Sequence, residues 1–244
     1  MRWLLTINKK NMVNINTVYQ RVLTIANKEQ RGYITPQEFN ILANQAQMDI
    51  FEQYFYDINQ FLRLPGNDTI ASDPLDMLEE KVSIFEKFDQ TVTMGSLGAG
   101  TIPSEAYRLM NVTFLSSNGT VDVQHINKKE LNKYRNSKLT APTTTRPLYI
   151  TTSENGIQVF PTTIASNVKC NYVAKPATVR WGYAMINNEA LYNPSNSTNF
   201  ELHESEESDL VIKILALAGI VIKDPQLYQI AAGADTAKQQ LEKQ

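Results

Sequence analysis

Residues 27–62 decide the fold of the N-terminal part of the chain, and they read NKEQRGYITPQEFNILANQAQMDIFEQYFYDINQFL. From Phe39 to Leu62 the apolar side chains recur at spacings of three and four residues, which is the period of one helix face. The pattern predicts a single helix from Pro36 to about Leu62. At 1.5 Å per residue, such a helix is about 40 Å long.

Aromatic side chains widen the apolar stripe of this helix beyond what one partner surface covers. A neighbouring subunit is therefore expected to complete its packing. The residues assigned to subunit packing on this basis are Phe51, Tyr54, Phe55 and Phe61.

The first twelve residues of the quoted stretch share features with an EF-hand calcium loop. Counted from Asn27, the glycine and the final glutamate of such a loop fall at Gly32 and Glu38, and Asn27 and Glu29 offer oxygen ligands. Position five, however, is Arg31, which would direct a cation into a cation site. Calcium binding by 27–38 stays a hypothesis that calorimetric titration tests, but the sequence favours no metal site here.

A structural role explains the same residues without a metal. Thr35 can cap the helix, Pro36 occupies the first helical position, and Glu38 falls where it can bond back to the Thr35 amide in a capping box. Gly32 suits a tight turn with positive φ. The segment is therefore interpreted as a turn followed by a helix start.

Composition narrows the class of protein. The 244 residues suffice for one large or two small domains, and hydrophobic residues make up 42% against 20% charged residues. The net charge of −2 gives no general basic surface for nucleic acid. Cys170 is the single cysteine, and His125 and His203 are the two histidines. A disulfide framework, a metal centre and a cofactor are not expected.

The two ends of the chain raise separate questions. Residues 1–11 are expected to be a disordered extension, and both Met1 and Met12 stay open as the native start. The apolar run at 210–222, LVIKILALAGIVI, is too short to span a bilayer and contains Lys213. It predicts a buried helix and no membrane span.

Strand-like segments dominate residues 80–204. The predicted strands read VSIFEKFDQTVTM, YRLMNVTFLSS, TVDVQHI, RPLYITTS, GIQVFP, VKCNYVAKP and TVRWGYAM. Asn118–Gly119 and Asn155–Gly156 predict hairpin turns with positive φ. A short polar helix is expected near 127–137, capped by Asn127.

Together these patterns predict an α+β fold in which N-terminal and C-terminal helices pack as a bundle around an inserted antiparallel β domain. The predicted helical body comprises 12–79 and 205–223, and the β domain comprises 80–204. Residues 224–244 open with Asp224–Pro225 and predict a C-terminal helix or tail that docks on another surface.

No stretch of the sequence carries a catalytic motif. GSLGAG at 95–100 lacks the lysine of a phosphate loop and is interpreted as a flexible loop. His203 and the acids up to Glu207 are interpreted as a helix start capped by Ser205 rather than an acid–base pair. Cys170 is expected in the core. We therefore expect no enzymatic activity and no catalytic residues.

Several blocks of the chain resemble structural proteins of tailed-phage virions, in particular those of short-tailed crAss-like phages and related phages of Bacteroidota. The resemblance covers about Met12 to the C-terminus, and residues 1–11 have no counterpart. The blocks are NKEQRGYITPQEFNILANQAQMDIFEQYF, IPSEAYRLMNV, SKLTAPTTTRPLYI, GIQVFPTTI, YVAKPATVRWGY and FELHESEESDLVIKILALAGIVIKDPQLYQ.

This resemblance implies a head-to-tail connector, or adaptor, that forms a twelvefold ring below the portal protein. Its helices would form the ring body, its β domain would meet the adjacent tail ring or nozzle proteins, and its C-terminal helix would dock on the portal. Genomic DNA would pass through the channel without sequence-specific binding. The protein would reside at the head–tail junction of the virion, and in the host cytoplasm during assembly.

On this reading the portal-docking residues of the C-terminal helix are Leu227, Tyr228, Ile230 and Leu241. Two alternatives stay open. One is another tail or capsid-associated ring protein. The other is a glycan-binding virion component that uses Trp181 as a sugar platform.

Overall fold

The computed structural model describes residues 12–28, 34–61, 77–117, 119–187 and 189–221. In these residues five helices accompany a large, mostly antiparallel sheet, which confirms the α+β class. The helices are α1 (Ile15–Lys28), α2 (Pro36–Phe61), α3 (77–83), α4 (Leu131–Asn136) and α5 (Glu207–Val221). The predicted segments 1–11 and 224–244 lie outside the described residues.

The chain divides into two compact units. We call residues 85–175 the insert unit. The described residues before 85 and after 175 together form the terminal unit. The predicted β domain, 80–204, extends beyond the insert unit because residues 176–204 pack with α1 and α2 in the terminal unit.

The insert unit consists of one eight-stranded sheet. Its strands are β1 (Glu86–Thr91), β2 (Thr93–Met94), β3 (Ala99–Thr101), β4 (Ala106–Ser116), β5 (Gly119–His125), β6 (Leu148–Thr151), β7 (Gly156–Phe160) and β8 (Val168–Ala174). They lie in the order β1-β8-β4-β5-β6-β7-β3-β2, and every neighbouring pair is antiparallel except β5 with β6. The connection between β5 and β6 contains α4, in agreement with the predicted helix near 127–137.

Alternating side chains of these strands build the core of the insert unit. β8 shows the pattern most clearly, because Val168, Cys170 and Tyr172 are all buried. A second, smaller cluster joins Ile126, Leu148, Ile150 and Phe160, and Leu131 and Tyr134 of α4 pack against it. The short helix is therefore fixed to the sheet by its apolar side.

Three local predictions for this region were wrong. The strand expected over 82–94 begins only at Glu86, because Val82 lies in helix α3. Asn127 does not cap α4: the residue before the helix is Glu130, and no side chain caps it. At Gly119 the expected positive φ is present, whereas Gly156 turns without it.

The glycine-rich residues 95–100 form a 3-10 turn at Ser96–Gly98 that leads directly into strand β3, rather than a flexible loop. Gly98 has φ of +76°, and a side chain there would collide with the Val159 carbonyl of β7. Gly100 lies in β3, where a Cβ would press on Ile157 and Val92. The glycines therefore allow close strand packing.

In the terminal unit, α5 packs against both α1 and α2. Leu210 and Ile214 of α5, four residues apart, are fully buried, as are Val18 and Val22 of α1. A helix covered by two neighbours needs few polar positions. This explains the apolar run at 210–222 in its described part, which ends at residue 221.

Candidate functional site

The segment 27–38, which shares features with a calcium loop, ends in the start of helix α2 in this structure. The Thr35 amide donates to Glu38 Oε2 at 2.9 Å, and the Glu38 amide donates to Thr35 Oγ1 at 3.3 Å, which confirms the capping box. The bonds that the Thr35 amide and the Thr35 hydroxyl donate to this carboxylate lower the pKa of Glu38. Asn27 is exposed at the end of α1, and Glu29 and Gly32 lie outside the described residues.

Three amide side chains of α2 bind an extended segment of the terminal unit. Asn44 donates to the Val179 carbonyl and accepts from the Val179 amide, both at 2.9 Å. Asn40 makes the same pair of bonds with the backbone of Trp181, and Gln47 donates to the Ala177 carbonyl at 2.9 Å. We call this arrangement the amide ladder.

The amide ladder forms because the repeat of one helix face nearly matches the repeat of an extended chain. Asn40, Asn44 and Gln47 recur every three or four residues, so successive amides rise by about 4.5–6 Å along α2. Alternate residues of an extended chain are spaced by about 6.6 Å. Side chains of α2 therefore replace a neighbouring strand for residues 177–181, a segment that the sequence predicts only as an ordinary strand, TVRWGYAM.

Trp181 is the centre of an aromatic cluster directly after the ladder. Its ring lies 4.2 Å from that of Tyr19, 5.9 Å from Tyr183 and 5.7 Å from Tyr192, measured between centroids. Its indole N–H donates to Asn16 Oδ1 at 3.1 Å. Since Trp181 is only 2% exposed, its ring offers no platform for a sugar.

A hairpin projects from this cluster. Strands β9 (Tyr183–Ile186) and β10 (Glu189–Tyr192) pair with each other in a two-stranded sheet, and we call them the hairpin arm. The strand register places Tyr183 opposite Tyr192, so both lie on one face with Trp181 stacked against them. The base of the arm is thus fixed.

The other face of the hairpin arm exposes two large apolar side chains, next to Glu189, which lies opposite Ile186. Ile186 and Leu191 share that face, because Leu191 lies opposite Ala184, two residues before Ile186. Ile186 is 52% exposed and Leu191 is 47% exposed. Two-stranded hairpins are marginal in water, and exposed apolar patches mark interaction sites. The hairpin arm is therefore the clearest candidate surface for a partner.

The outer side of the amide ladder carries an exposed apolar side chain in the terminal unit, since Ile41 of α2 is 71% exposed. Ile41 lines an open groove together with Thr178, Val179 and Arg180 and the neighbouring α2 residues Asn40, Asn44 and Gln45. We call this the Ile41 groove. Among its described lining residues Arg180 is charged and none is a carboxylate, so the groove suits a partner surface without exposed cations.

The aromatic residues predicted for subunit packing lie mainly inside the terminal unit. Phe51 and Tyr54 are buried, and Phe55 is half-buried with its ring 5.0 Å from that of Phe51. Phe61 ends α2. Phe51 and Tyr54 therefore stabilise the subunit itself, since α5 supplies the partner surface for α2. The portal-docking residues Leu227, Tyr228, Ile230 and Leu241 lie outside the described residues.

The acidic residues before α5 have structural partners. The side chain of His203, not that of Ser205, caps the turn, because His203 Nδ1 accepts from the Ser205 amide at 3.2 Å. Glu206 is buried, and its Oε1 lies 2.6 Å from Lys81 Nζ. Burial, with the nearby carboxylates, raises the pKa of Tyr54 well above its usual range. This cluster holds α3 and the start of α5 on α2.

Cys170 lies in the core of the insert unit, as the sequence predicted. Its side chain is 1% exposed, and burial raises its pKa to about 11. Next to it, the Tyr172 hydroxyl donates to Glu105 Oε1 at 2.5 Å. Both groups serve the packing of β8.

Cys170 provides a direct measure of opening in the insert unit. We expect a thiol reagent at pH 8 to label the native protein at least about a hundredfold more slowly than the denaturant-unfolded protein, because only the exposed thiolate reacts. Absorbance of the released reagent gives the rate. Equal rates in both states would contradict the buried position of Cys170.

Across the described ranges, no three His, Cys, Asp or Glu side chains gather as metal ligands would. None of the helices in those ranges is long and apolar enough to cross a membrane. A search of protein-family models found no match to this chain, and a search of curated proteins found none either.

Proposed function

We propose that this chain is a self-assembling structural subunit of a tailed-phage virion, and that it builds the head-to-tail connector ring below the portal. The observation that carries the proposal is the hairpin arm, which is fixed at Trp181 on one face and presents Ile186 and Leu191 on the other. An apolar surface held in this way gains stability only when a partner covers it.

A second copy of the chain is the partner that this surface fits best. The Ile41 groove offers a receiving surface on the same unit, with Arg180 as the charged residue of its lining, and it is built from different residues than the hairpin arm. Contacts between two different surfaces of identical subunits generate a ring when the rotation closes. The hairpin arm of one subunit would then cover the Ile41 groove of the next, in a ring of twelve copies.

The remaining parts of the chain take their roles from the resemblance to phage structural proteins. The N-terminal and C-terminal helices would pack as the bundle that forms the ring body. The insert unit would face the adjacent tail ring or nozzle proteins, and residues 224–244 would dock on the portal. The ring would lie at the head–tail junction, around the path of the genomic DNA, after assembly in the host cytoplasm.

Removing the apolar face of the hairpin arm should prevent assembly. In the variant I186T/L191T, threonine keeps the strand propensity but removes most of the apolar area. We expect the subunit interaction to weaken at least tenfold, which corresponds to about 1.4 kcal/mol per contact. Analytical ultracentrifugation of both proteins measures this change.

The matched control is L139T, because Leu139 is an exposed leucine of the insert unit, outside the hairpin arm and the Ile41 groove. It should assemble as the unaltered protein does. Circular dichroism checks that each variant is folded. If folded I186T/L191T assembles as well as L139T, the hairpin arm is not the subunit interface.

A further inference from the structure

The positive charge of this acidic chain is concentrated in one segment of the insert unit. Residues 127–146, which we call the basic segment, contain six Lys and Arg but a single acid, Glu130. The segment carries +5 while the whole chain carries −2, so the rest of the chain sums to −7. Its cations are Lys128, Lys129, Lys133, Arg135, Lys138 and Arg146.

The structure holds these cations outward on a fixed support. Leu131 and Tyr134 fasten α4 to the cluster around Phe160, which leaves the polar side of the helix in solvent. All six cationic residues are exposed. Lys128, Lys129 and Lys133 line one open groove, together with His125, Thr151 and one acid, Glu130. A fixed backbone keeps these cations close together, so the chain itself need not be ordered when an anion contacts several of them.

Some cations of the basic segment hold its conformation through contacts within the chain, and others are available to bind a ligand. The Arg135 guanidinium lies 5.6 Å from the centre of the Phe160 ring, Arg146 donates to the Leu139 carbonyl at 3.0 Å, and Lys128 donates to the Thr152 carbonyl at 3.1 Å. Within the described residues, no carboxylate forms an ion pair with Lys129, Lys133 or Lys138. These three ammonium groups are therefore free to meet a ligand.

The uncharged residues of the basic segment indicate which anion fits. Asparagine, serine and threonine side chains stand between the lysines, and with lysine they are the usual donors to nucleic-acid phosphates. The tyrosine of the segment, Tyr134, packs on the core cluster, so no exposed aromatic ring is left in the segment to stack on an unpaired base. A single exposed apolar residue, Leu139, is too little for a membrane-binding face.

We infer that the basic segment binds the phosphate backbone of double-stranded nucleic acid, with Lys129, Lys133 and Lys138 as its contacts and without reading the base sequence. The inference does not depend on the proposed ring. It assigns nucleic-acid contact to a surface in the insert unit, whereas the hairpin arm and the Ile41 groove belong to the terminal unit.

Fluorescence polarisation with a labelled 20-base-pair duplex tests this binding on the full chain. We expect binding at 50 mM NaCl that weakens steeply with salt, because each neutralised phosphate contributes about −0.9 to the slope of log K against log salt concentration. In K129Q/K133Q/K138Q that slope should become shallower by about 3, and affinity at 100 mM NaCl should fall at least tenfold. A duplex of different sequence should bind equally well.

A matched control removes the same charge from elsewhere in the insert unit. In K87Q/K169Q/K175Q the net charge also falls by three, but the lysines lie on or next to β1 and β8. This control should keep the slope and affinity of the unaltered protein. Equal losses in both triple variants, absence of duplex binding at 50 mM NaCl, or binding only to phosphatidylserine vesicles would each overturn the inference.

Discussion

Replacing Asn44 with alanine is expected to lower the free energy of unfolding by about 3 kcal/mol, because the buried amide and carbonyl of Val179 both lose their partner and each unsatisfied group costs about 1–3 kcal/mol. Water cannot replace the lost side chain easily, since Val179 is 1% exposed. Urea unfolding, followed by the fluorescence of nearby Trp181, measures the change.

The control for this prediction is Gln45→Ala, on the next residue of α2. Gln45 is exposed, and its hydrogen bond reaches only Asp49 one turn along the same helix, at 2.7 Å. Its loss should change stability by less than about 0.5 kcal/mol. Equal stability of the two variants would show that the amide ladder does not hold residues 177–181.

Replacing Lys81 with methionine is expected to lower the free energy of unfolding by about 3 kcal/mol. Glu206 is 5% exposed, and the variant leaves its carboxylate buried without the ammonium group that lies 2.6 Å away. The double variant K81M/E206M should recover most of this loss, since it removes both charges. Thermal unfolding of the single and double variants gives the coupling energy.

A more exposed ion pair of the same unit provides the contrast. Arg21 and Glu207 are 2.9 Å apart, and their side chains are 54% and 20% exposed, against 24% and 7% for Lys81 and Glu206. Arg21→Met should therefore cost less than about 1 kcal/mol. If K81M were as mild as R21M, or if K81M/E206M were no more stable than K81M, the contact between Lys81 and Glu206 would not matter for folding.

Local features of the sequence predicted the helices well, because their causes lie within a few residues. Thr35, Pro36 and Glu38 fix the start of α2 through bonds that span three positions, and the apolar period continues from there. The central β region and the position of Cys170 followed from alternation in the same way. The start of the β domain, predicted near residue 80, did not follow from such local features. Residues 77–83 are helical, and their apolar side chains do not alternate as they would in a strand.

Long-range contacts explain what the sequence did not indicate. The amide ladder joins residues about 135 positions apart, so no periodicity of the sequence indicates it. The one available signal was that Asn40, Asn44 and Gln47 share a face of the helix, which indicates polar side chains that bind another part of the chain. The spacing of Phe51 and Tyr54 on α2 is typical of a subunit interface, yet both side chains are buried within the subunit itself. The exposed face of the hairpin arm looked like ordinary strand sequence, because pairing order and burial decide which face stays open.

Mass photometry of the purified full chain, over a hundredfold range of concentration, tests the central proposal of self-assembly most directly. We predict a high-order species, with the mass of about twelve subunits for the proposed ring, that disappears in I186T/L191T and persists in L139T. A monomeric mass at every concentration, also when the portal protein is added, would contradict the account.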